Sequence, residues 1–185
     1  MSRGIHARIV ERIDRLVATI GNLIAWLALA LVMLVAANVL ARYLLSVGSV
    51  GLQELEWHVM GVLALVGISY GINRGEQVRV DMLYANFSPW TKALVDTIAA
   101  VLMIIIAIIM MKLSFGYVGQ SYMMQEGSPD PGGLPYRFIL KSCLPIGFAL
   151  LAAQGVVELA KAIMKLGLFA HAQPIGKPSE NLNGK

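Results

Sequence analysis

The run "LVATIGNLIAWLALALVMLVAANVLA", residues 16–41, contains 26 residues and no charged side chain. A transmembrane helix needs about 20 consecutive apolar residues, whereas the apolar region of a cleavable signal peptide has about 7–15. No small-x-small cleavage pattern closes this run cleanly. The run therefore predicts a retained first transmembrane helix over about residues 16–42.

The composition indicates that this helix is one of several in a membrane protein. Of 185 residues, 57% are hydrophobic and 14% are charged, and the mean hydropathy is +0.69. A soluble domain is about half apolar and a quarter charged. The net charge of +4 does not indicate nucleic-acid binding, because the basic residues sit beside apolar runs and form no basic face with aromatics. The one cysteine, Cys143, allows no intramolecular disulfide and is typical of a small packed residue in a helix.

Residues 1–15, which precede the first span, have a helical pattern of their own. Ile5, Ile9 and Ile13 recur at every fourth position, and the arginines fall largely on other faces of the helical wheel. This pattern predicts an amphipathic helix that lies at the membrane interface and runs into the first span. A frayed basic tail is the alternative interpretation.

Three further spans are predicted, over about 57–73, 89–125 and 138–162. Ser88 is a good N-cap for the third of these, and Pro89 suits its first helical position. At 1.5 Å per residue this helix would be about 55 Å long, against a hydrocarbon core of about 30 Å. It must therefore be strongly tilted or stand out of the membrane by several turns.

Proline and glycine mark the end of the third span, where "EGSPDPGGLPYR" (126–137) predicts a loop. Residues 166–185 are predicted to form a polar C-terminal tail. The predicted fold class is thus an all-α integral membrane protein, with four transmembrane helices in a membrane domain at 16–165. With both termini in the cytoplasm, eleven of the 15 basic residues lie on the cytoplasmic side, as the positive-inside rule requires.

Ionisable residues inside a membrane usually mark a functional site. Asp96 is the best candidate for a coupling carboxylate, but it lies near a helix N-terminus with Lys92 one turn back, so structural pairing is the simpler interpretation. Glu158 shares a helical face with Gln154 and Lys161. These three residues are interpreted as an interfacial ion pair with a helix-contact glutamine.

Cofactor chemistry finds little support in the sequence. His58 is the one histidine near a span, whereas a haem site in a bundle needs paired histidines. Glu54 and His58 share a helical face, but two ligands do not make a metal site, and a surface ion pair or cap interaction is simpler. No P-loop, no nucleophile with a base and no inverted repeat is visible. The sequence therefore predicts a structural or interaction subunit that is not an enzyme and has no cofactor.

We call the segment "NRGEQVRVDMLY" (73–84) the charged loop. It carries two basic and two acidic side chains, whose charges balance: Arg74, Glu76, Arg79 and Asp81. The orientation rule places this loop in the cytoplasm, between the second and third spans. Positive charge alone would have satisfied that rule. The two acidic residues therefore indicate either internal ion pairs or pairing with another chain.

The charged loop resembles the cytoplasmic signature of the small membrane subunit, the DctQ type, of tripartite ATP-independent periplasmic (TRAP) transporters. The resemblance covers about residues 10–163 and includes "SPDPGGLP" (128–135) and "KSCLPIGFALLAAQG" (141–155). Gln77 departs from it, since the family usually has histidine there, and this leaves no titrating imidazole at that position. Beyond the charges named above, the matching positions are Glu54, Gly75, Val78, Val80, Ser88, Pro89, Lys141, Pro145 and Gln154.

The resemblance implies a multi-pass protein of the bacterial inner membrane. Such systems import organic acids, often carboxylates, with a sodium gradient as the driving force. A periplasmic binding protein captures the substrate, and a large membrane subunit carries it by an elevator motion. The small subunit is implied to be a scaffold for the large one.

Two sets of contact residues are hypothesised on this basis. Arg74 and Arg79 would hold lipid phosphates or carboxylates of the large subunit, with Glu76 and Asp81 fixing their geometry. A loop that pairs only with itself is the alternative. Glu126, Asp130 and Arg137 would help the periplasmic protein to dock, although a loop that merely ends two helices explains them equally well.

Two rival functional classes remain open from the sequence. The first is an autonomous small four-helix transporter that acts as a homo-oligomer, with Asp96 as its coupling group. The second is the anchor subunit of a respiratory enzyme, which predicts bound haem or quinone.

Overall fold

A computed structural model describes residues 2–76 and 84–171, and five helices lie wholly within this part of the chain. Four helical segments are long and apolar enough to cross a membrane, the fourth of them comprising α4 and most of α5. The predicted all-α fold with four spans is therefore confirmed, while the cytoplasmic location of the termini stays a prediction. The helices are α1 (Ser2–Leu44), α2 (Val50–Arg74), α3 (Pro89–Met123), α4 (Arg137–Lys141) and α5 (Cys143–His171).

Helix α1 is one continuous helix of 43 residues, so the predicted amphipathic segment 1–15 runs into the first span without a break. Its placement at the membrane interface stays a prediction. Helix α2 begins at Val50, earlier than the predicted span near residue 57. The side chain of Ser49 caps it by accepting a hydrogen bond from the Leu52 N–H at 3.3 Å. Charged residues limit a hydropathy window but do not end a helix, so Glu54 lies within α2.

Helix α2 ends where the charged loop begins, and a glycine explains the stop. Gly75 adopts a left-handed backbone conformation with φ 76°, which costs glycine little. Its N–H donates to the Ile72 carbonyl at 3.0 Å, and the Glu76 N–H donates to the Gly71 carbonyl at 3.0 Å. This pair of hydrogen bonds is a Schellman motif. Gly75 of the charged loop thus serves to end α2 through its backbone conformation.

Helix α3 starts as the sequence predicts. Pro89 is its first residue, and the Ser88 hydroxyl accepts a hydrogen bond from the Thr91 N–H at 3.1 Å. The helix ends at Met123, close to the predicted 125. Its 35 residues make a helix about 52 Å long.

The predicted fourth span, 138–162, is broken into two helices at Ser142 and extends farther than predicted. Pro145 lies four residues after Lys141, where its ring conflicts with the Lys141 carbonyl and it offers no N–H. The break therefore falls just before Pro145. Helix α5 then continues to His171, so the first residues of the predicted tail 166–185 are helical. Residues 172–185 lie outside the described part.

Helix α5 is the centre of the bundle, because it packs against α1, α2, α3 and α4, most extensively against α3. The face of α3 that packs into the bundle carries a repeat of small residues, which is absent from the sequence-based predictions above. Seven-residue spacing is typical of helices that wind around each other. The sequence of α3 contains a small residue at every seventh position along this face. These residues are Ala93, Ala100, Ala107, Ser114 and Ser121.

The exterior of the bundle is apolar, whereas much of the interior is small or polar. Trp26 is 72% exposed and Leu113 65% exposed, while the fully buried residues include Ser69, Gln154 and Val157. Helices in lipid associate through small residues and polar contacts, because lipid tails solvate large apolar side chains as well as a protein core does. This arrangement therefore suits a protein surrounded by lipid.

Candidate functional site

The polar side chains collect at the two ends of the bundle. We call the end that carries the loop 124–136 the loop end, and the end where α2 stops and α3 begins the far end. Helix α2 starts at the loop end, so it brings Glu54 under the loop. The side chain of Glu54 is only 9% exposed, which makes it a buried carboxylate.

Glu54 binds three separate points of the loop region. Its Oε1 accepts a hydrogen bond from the Ser128 hydroxyl and, at 2.7 Å, one from Arg137 Nη2. Its Oε2 accepts from the Leu134 N–H at 2.7 Å. A buried carboxylate is tolerated when it is paired and hydrogen-bonded in this way. The Glu54 cluster, comprising these four residues, therefore fixes the loop to α2.

The loop is shaped to fit this carboxylate. A side chain on Gly133 would place a Cβ 2.9 Å from Glu54 Oε2 and closer still to the Ser128 hydroxyl. The backbone also closes on itself: the Ser128 N–H donates to the Leu134 carbonyl at 3.1 Å, and the Arg137 N–H to the Glu126 carbonyl at 2.9 Å. Glycine at 133 therefore leaves room for the Glu54 cluster to form.

A second ion pair at the loop end joins the loop to α4. Lys141 Nζ binds Glu126 Oε2 and lies 4.0 Å from the centroid of the Tyr117 ring. The hydrogen bond from Lys141 holds the pKa of Glu126 below its ordinary value. Glu126 is therefore charged at neutral pH.

The three residues hypothesised to dock a periplasmic protein thus lie near one another but differ in availability. Glu126 and Arg137 are half-buried and engaged within the chain, whereas Asp130 is exposed at the tip of the loop. The interpretation of Glu54 and His58 as a surface pair or cap interaction is wrong. The Glu54 carboxylate turns to the loop, and the His58 ring binds the Glu54 backbone carbonyl through Nδ1.

A polar network at the far end ties three helices together. Asp14 of α1 accepts hydrogen bonds from Asn73 Nδ2 at 2.9 Å and Lys161 Nζ at 3.0 Å. Lys161 also binds Glu158 at 3.0 Å, and Gln154 donates to Glu158 at 3.1 Å. The contacts among the three α5 residues agree with the sequence interpretation. Asp14 was missed because it is distant in the sequence.

Asp96 is held by partners other than the one predicted. Its Oδ1 accepts a hydrogen bond from the Tyr84 hydroxyl at 3.0 Å, and its Oδ2 lies 4.0 Å from Lys165 Nζ. Lys92 instead donates to the Ala85 carbonyl at 3.2 Å, because helical side chains tilt toward the N-terminus. Structural pairing of Asp96 is therefore observed, but through Tyr84 and Lys165.

The described part of the charged loop contains residues 73–76 and Tyr84. Arg74 Nε donates to the Tyr70 hydroxyl at 3.1 Å, and its guanidinium lies 5.2 Å from the centroid of the Tyr70 ring. Arg74 Nη2 also approaches Asn22 Oδ1 of α1 at 3.5 Å. Glu76 is exposed. The remaining positions named above lie outside the described residues: Gln77, Val78, Arg79, Val80 and Asp81.

Within residues 2–76 and 84–171, no group of three or more His, Cys, Asp or Glu side chains is placed to hold a metal ion. What the described polar groups do is join helices to one another and to the loop.

Comparison with known proteins gives one finding about the family. A family model described as "Tripartite ATP-independent periplasmic transporters, DctQ component" matches residues 31–165, well over half of the chain. A search of curated proteins returned no match.

Proposed function

The chain belongs to the DctQ family of small membrane subunits of TRAP transporters, and we propose that it is the scaffold that braces the large, substrate-carrying membrane subunit. The observation that carries this proposal is the way α3 and α5 meet. Their interface is closed by small residues, with Ala107 fully buried. Transport paths in membranes are lined by polar or ionisable groups. At the far end the α3–α5 contact opens into a cleft of about 310 Å³ lined by Asp96, Glu158, Lys161 and Lys165, but the buried small residues farther along the seam close it.

The charged groups at both ends support the same function. Glu54 and Arg137 pair with each other, as do Glu126 and Lys141, and Lys161 bridges Asp14 and Glu158. The pairs Glu54–Arg137, Glu126–Lys141 and Asp14–Lys161 each join two segments of the chain and so stiffen the bundle, whereas Lys161–Glu158 lies within α5. An elevator-type partner needs a part that stays fixed in the bilayer, and a stiff bundle would widen that part.

The finer features of the proposal follow from the family resemblance. The complex imports organic acids with sodium coupling across a bacterial inner membrane. The far end and both termini face the cytoplasm, and the loop end faces the periplasm. The partners are the large TRAP membrane subunit, a periplasmic substrate-binding protein and phospholipid.

A pull-down of the tagged chain from detergent-solubilised native membranes tests the scaffold function. We expect a much larger multi-span protein to accompany the chain in stoichiometric amount, because a brace must bind what it supports. Recovery of the chain alone, as a stable homo-oligomer, would contradict the proposal. That result would favour the autonomous transporter and direct attention to Asp96.

The charged loop is proposed to contribute to this partnership. The Arg74→Ala, Arg79→Ala double variant is expected to lower both the yield of the large subunit in the same pull-down and substrate uptake. The reason is that the lipid phosphates or carboxylates would lose both of their guanidinium partners. Unchanged yield together with unchanged uptake would show that the loop serves only this chain.

The loop end is proposed to receive the periplasmic binding protein through its exposed charge. Changing Asp130 to lysine should weaken binding of that protein to the purified membrane complex several-fold at low salt, because rim charges steer association. Binding would be measured on immobilised complex at two ionic strengths. Glu11→Lys is the matched control, since it makes the same charge change at an exposed pair on α1 that contributes little stability. Equal weakening by both variants would contradict docking at the loop.

A further inference from the structure

An apolar groove runs along the loop end of the bundle, between α2, the end of α3 and the α4–α5 break. It has a volume of about 440 Å³. Its walls include Gly61, Val62 and Leu65 from α2 and Leu140 and Leu144 from the other side. Apart from its upper rim, the groove is lined by hydrocarbon.

The rim of the groove carries hydrogen-bond donors. His58, Arg137 and Lys141 all line it. Arg137 uses Nη2 for Glu54, but its Nε is buried and has no acceptor among the described residues. A buried donor without a partner costs about 1–3 kcal/mol. The Lys141 ammonium has three donors, one of which binds Glu126. An acceptor from outside the chain would therefore meet the terminal N–H groups of Arg137, whose side chain is 28% exposed, and the remaining N–H groups of Lys141, while Nε lies buried behind them.

We propose that this groove binds one glycerophospholipid, with an acyl chain along α2 and the phosphate at Arg137 and Lys141. The complementarity is between donors and acceptors rather than net charge, since Glu54 and Glu126 already balance the two cations. A phosphodiester supplies the missing acceptors, and guanidinium groups bind phosphate oxygens strongly. The donors lie at the end of the spans, at head-group level, and the hydrocarbon wall begins below them.

The placement of the groove suggests what the lipid does. It lies between Trp57 of α2 and Cys143 at the start of α5, beside the break at Ser142. A lipid seated here would fill the gap that α2 and α4 leave beside the Glu54–Arg137 pair. It would hold α4 against α2 and so support the Glu54 cluster from the membrane side.

Native mass spectrometry of the full chain, released from detergent, tests this proposal. The probes are phosphatidylglycerol, diacylglycerol with the same acyl chains, and glycerol 3-phosphate. We expect one phosphatidylglycerol per chain to survive, with at least tenfold less retention of diacylglycerol, which lacks the phosphate, and of glycerol 3-phosphate, which lacks the chains. Equal retention of phosphatidylglycerol and diacylglycerol would overturn the assignment of the phosphate to the rim.

A pair of glycine variants of α2 provides the matched test. A Cβ added at Gly61 or at Gly67 meets no atom within 4 Å, but only Gly61 lines the groove. Leucine at either position favours the helix, so neither variant threatens folding. We expect Gly61→Leu to lower phosphatidylglycerol retention at least tenfold and Gly67→Leu to leave it unchanged.

Two outcomes of the glycine pair would overturn the proposal. One is retention of phosphatidylglycerol by Gly61→Leu at the level of the unmodified chain. The other is loss of a co-purifying membrane subunit from Gly61→Leu with an unchanged lipid count, which would show that a protein helix occupies the groove.

Discussion

Replacing Glu54 with alanine is expected to lower the free energy of unfolding by about 3 kcal/mol and to release the loop 124–136. Removing one partner of a buried ion pair costs about 3–5 kcal/mol, because the other charge stays buried and unpaired. The lower end of that range applies here, since the side chain of Arg137 is 28% exposed and can regain some solvent. The Leu134 N–H and the Ser128 hydroxyl lose their acceptor in the same step.

Two measurements would check the Glu54 prediction. Denaturant unfolding in detergent reports the free energy, and limited trypsin digestion reports the loop, because Arg137 directly follows the loop and Lys141 ends the short helix α4. We expect faster cleavage at these two residues in Glu54→Ala. Glu54→Gln keeps the shape of the side chain but not its charge. Its unfolding free energy and its cleavage rate should therefore lie between those of Glu54→Ala and the unmodified protein.

Glu56 provides the matched control on the same helix. It accepts one hydrogen bond, from Asn38 Nδ2 at 2.8 Å, and its loss should cost about 1 kcal/mol. Glu56→Ala should leave trypsin cleavage of the loop unchanged. Unfolding and cleavage of Glu54→Ala at the rates of the unmodified protein would mean that Glu54 does not fasten the loop.

Features of the fold that depend on a few adjacent residues could be predicted from the sequence. The start of α3 is an example, because Ser88 and Pro89 act on the helix that follows them directly. The number of spans is another, since each is a continuous apolar run. The predicted second span begins later than α2 does. Glu54 and Glu56 resemble the end of a hydrophobic run, although Ser49 caps the helix before them.

Features that depend on pairing between distant segments could not be predicted in the same way. Glu54 meets Ser128 and Arg137 across 74 and 83 positions, and no periodicity connects them. Asp96 and Lys165 are brought together by the packing of α3 on α5, whereas the sequence suggested the neighbour Lys92. The inward face of α3 is a different case. Its small residues recur at seven-residue spacing in the sequence, but the large apolar residues between them give a stronger pattern.

Replacing Ala107 with leucine is expected to lower the free energy of unfolding by about 2–3 kcal/mol and to loosen α3 from α5. Ala107 is fully buried in the seam between these helices. The seam is tight: a Cβ on Gly155 of α5 would lie 2.7 Å from Ile104 of α3. Inserting methylenes into such a contact costs about 1–3 kcal/mol, because side chains leave their rotamers or the backbones move apart.

The separation of α3 from α5 has a consequence for the scaffold function that the stability measurement alone would not show. A looser seam should let the bundle bend, so the large subunit should still co-purify with Ala107→Leu while substrate uptake falls. Gly116→Leu is the control, because it adds a leucine to an exposed position of the same helix where an added Cβ meets no atom within 4 Å. We expect Gly116→Leu to keep both unfolding free energy and uptake. Normal uptake by a destabilised Ala107→Leu complex would show that the partner does not need a stiff brace, and equal losses from both variants would show that the seam is not the sensitive face.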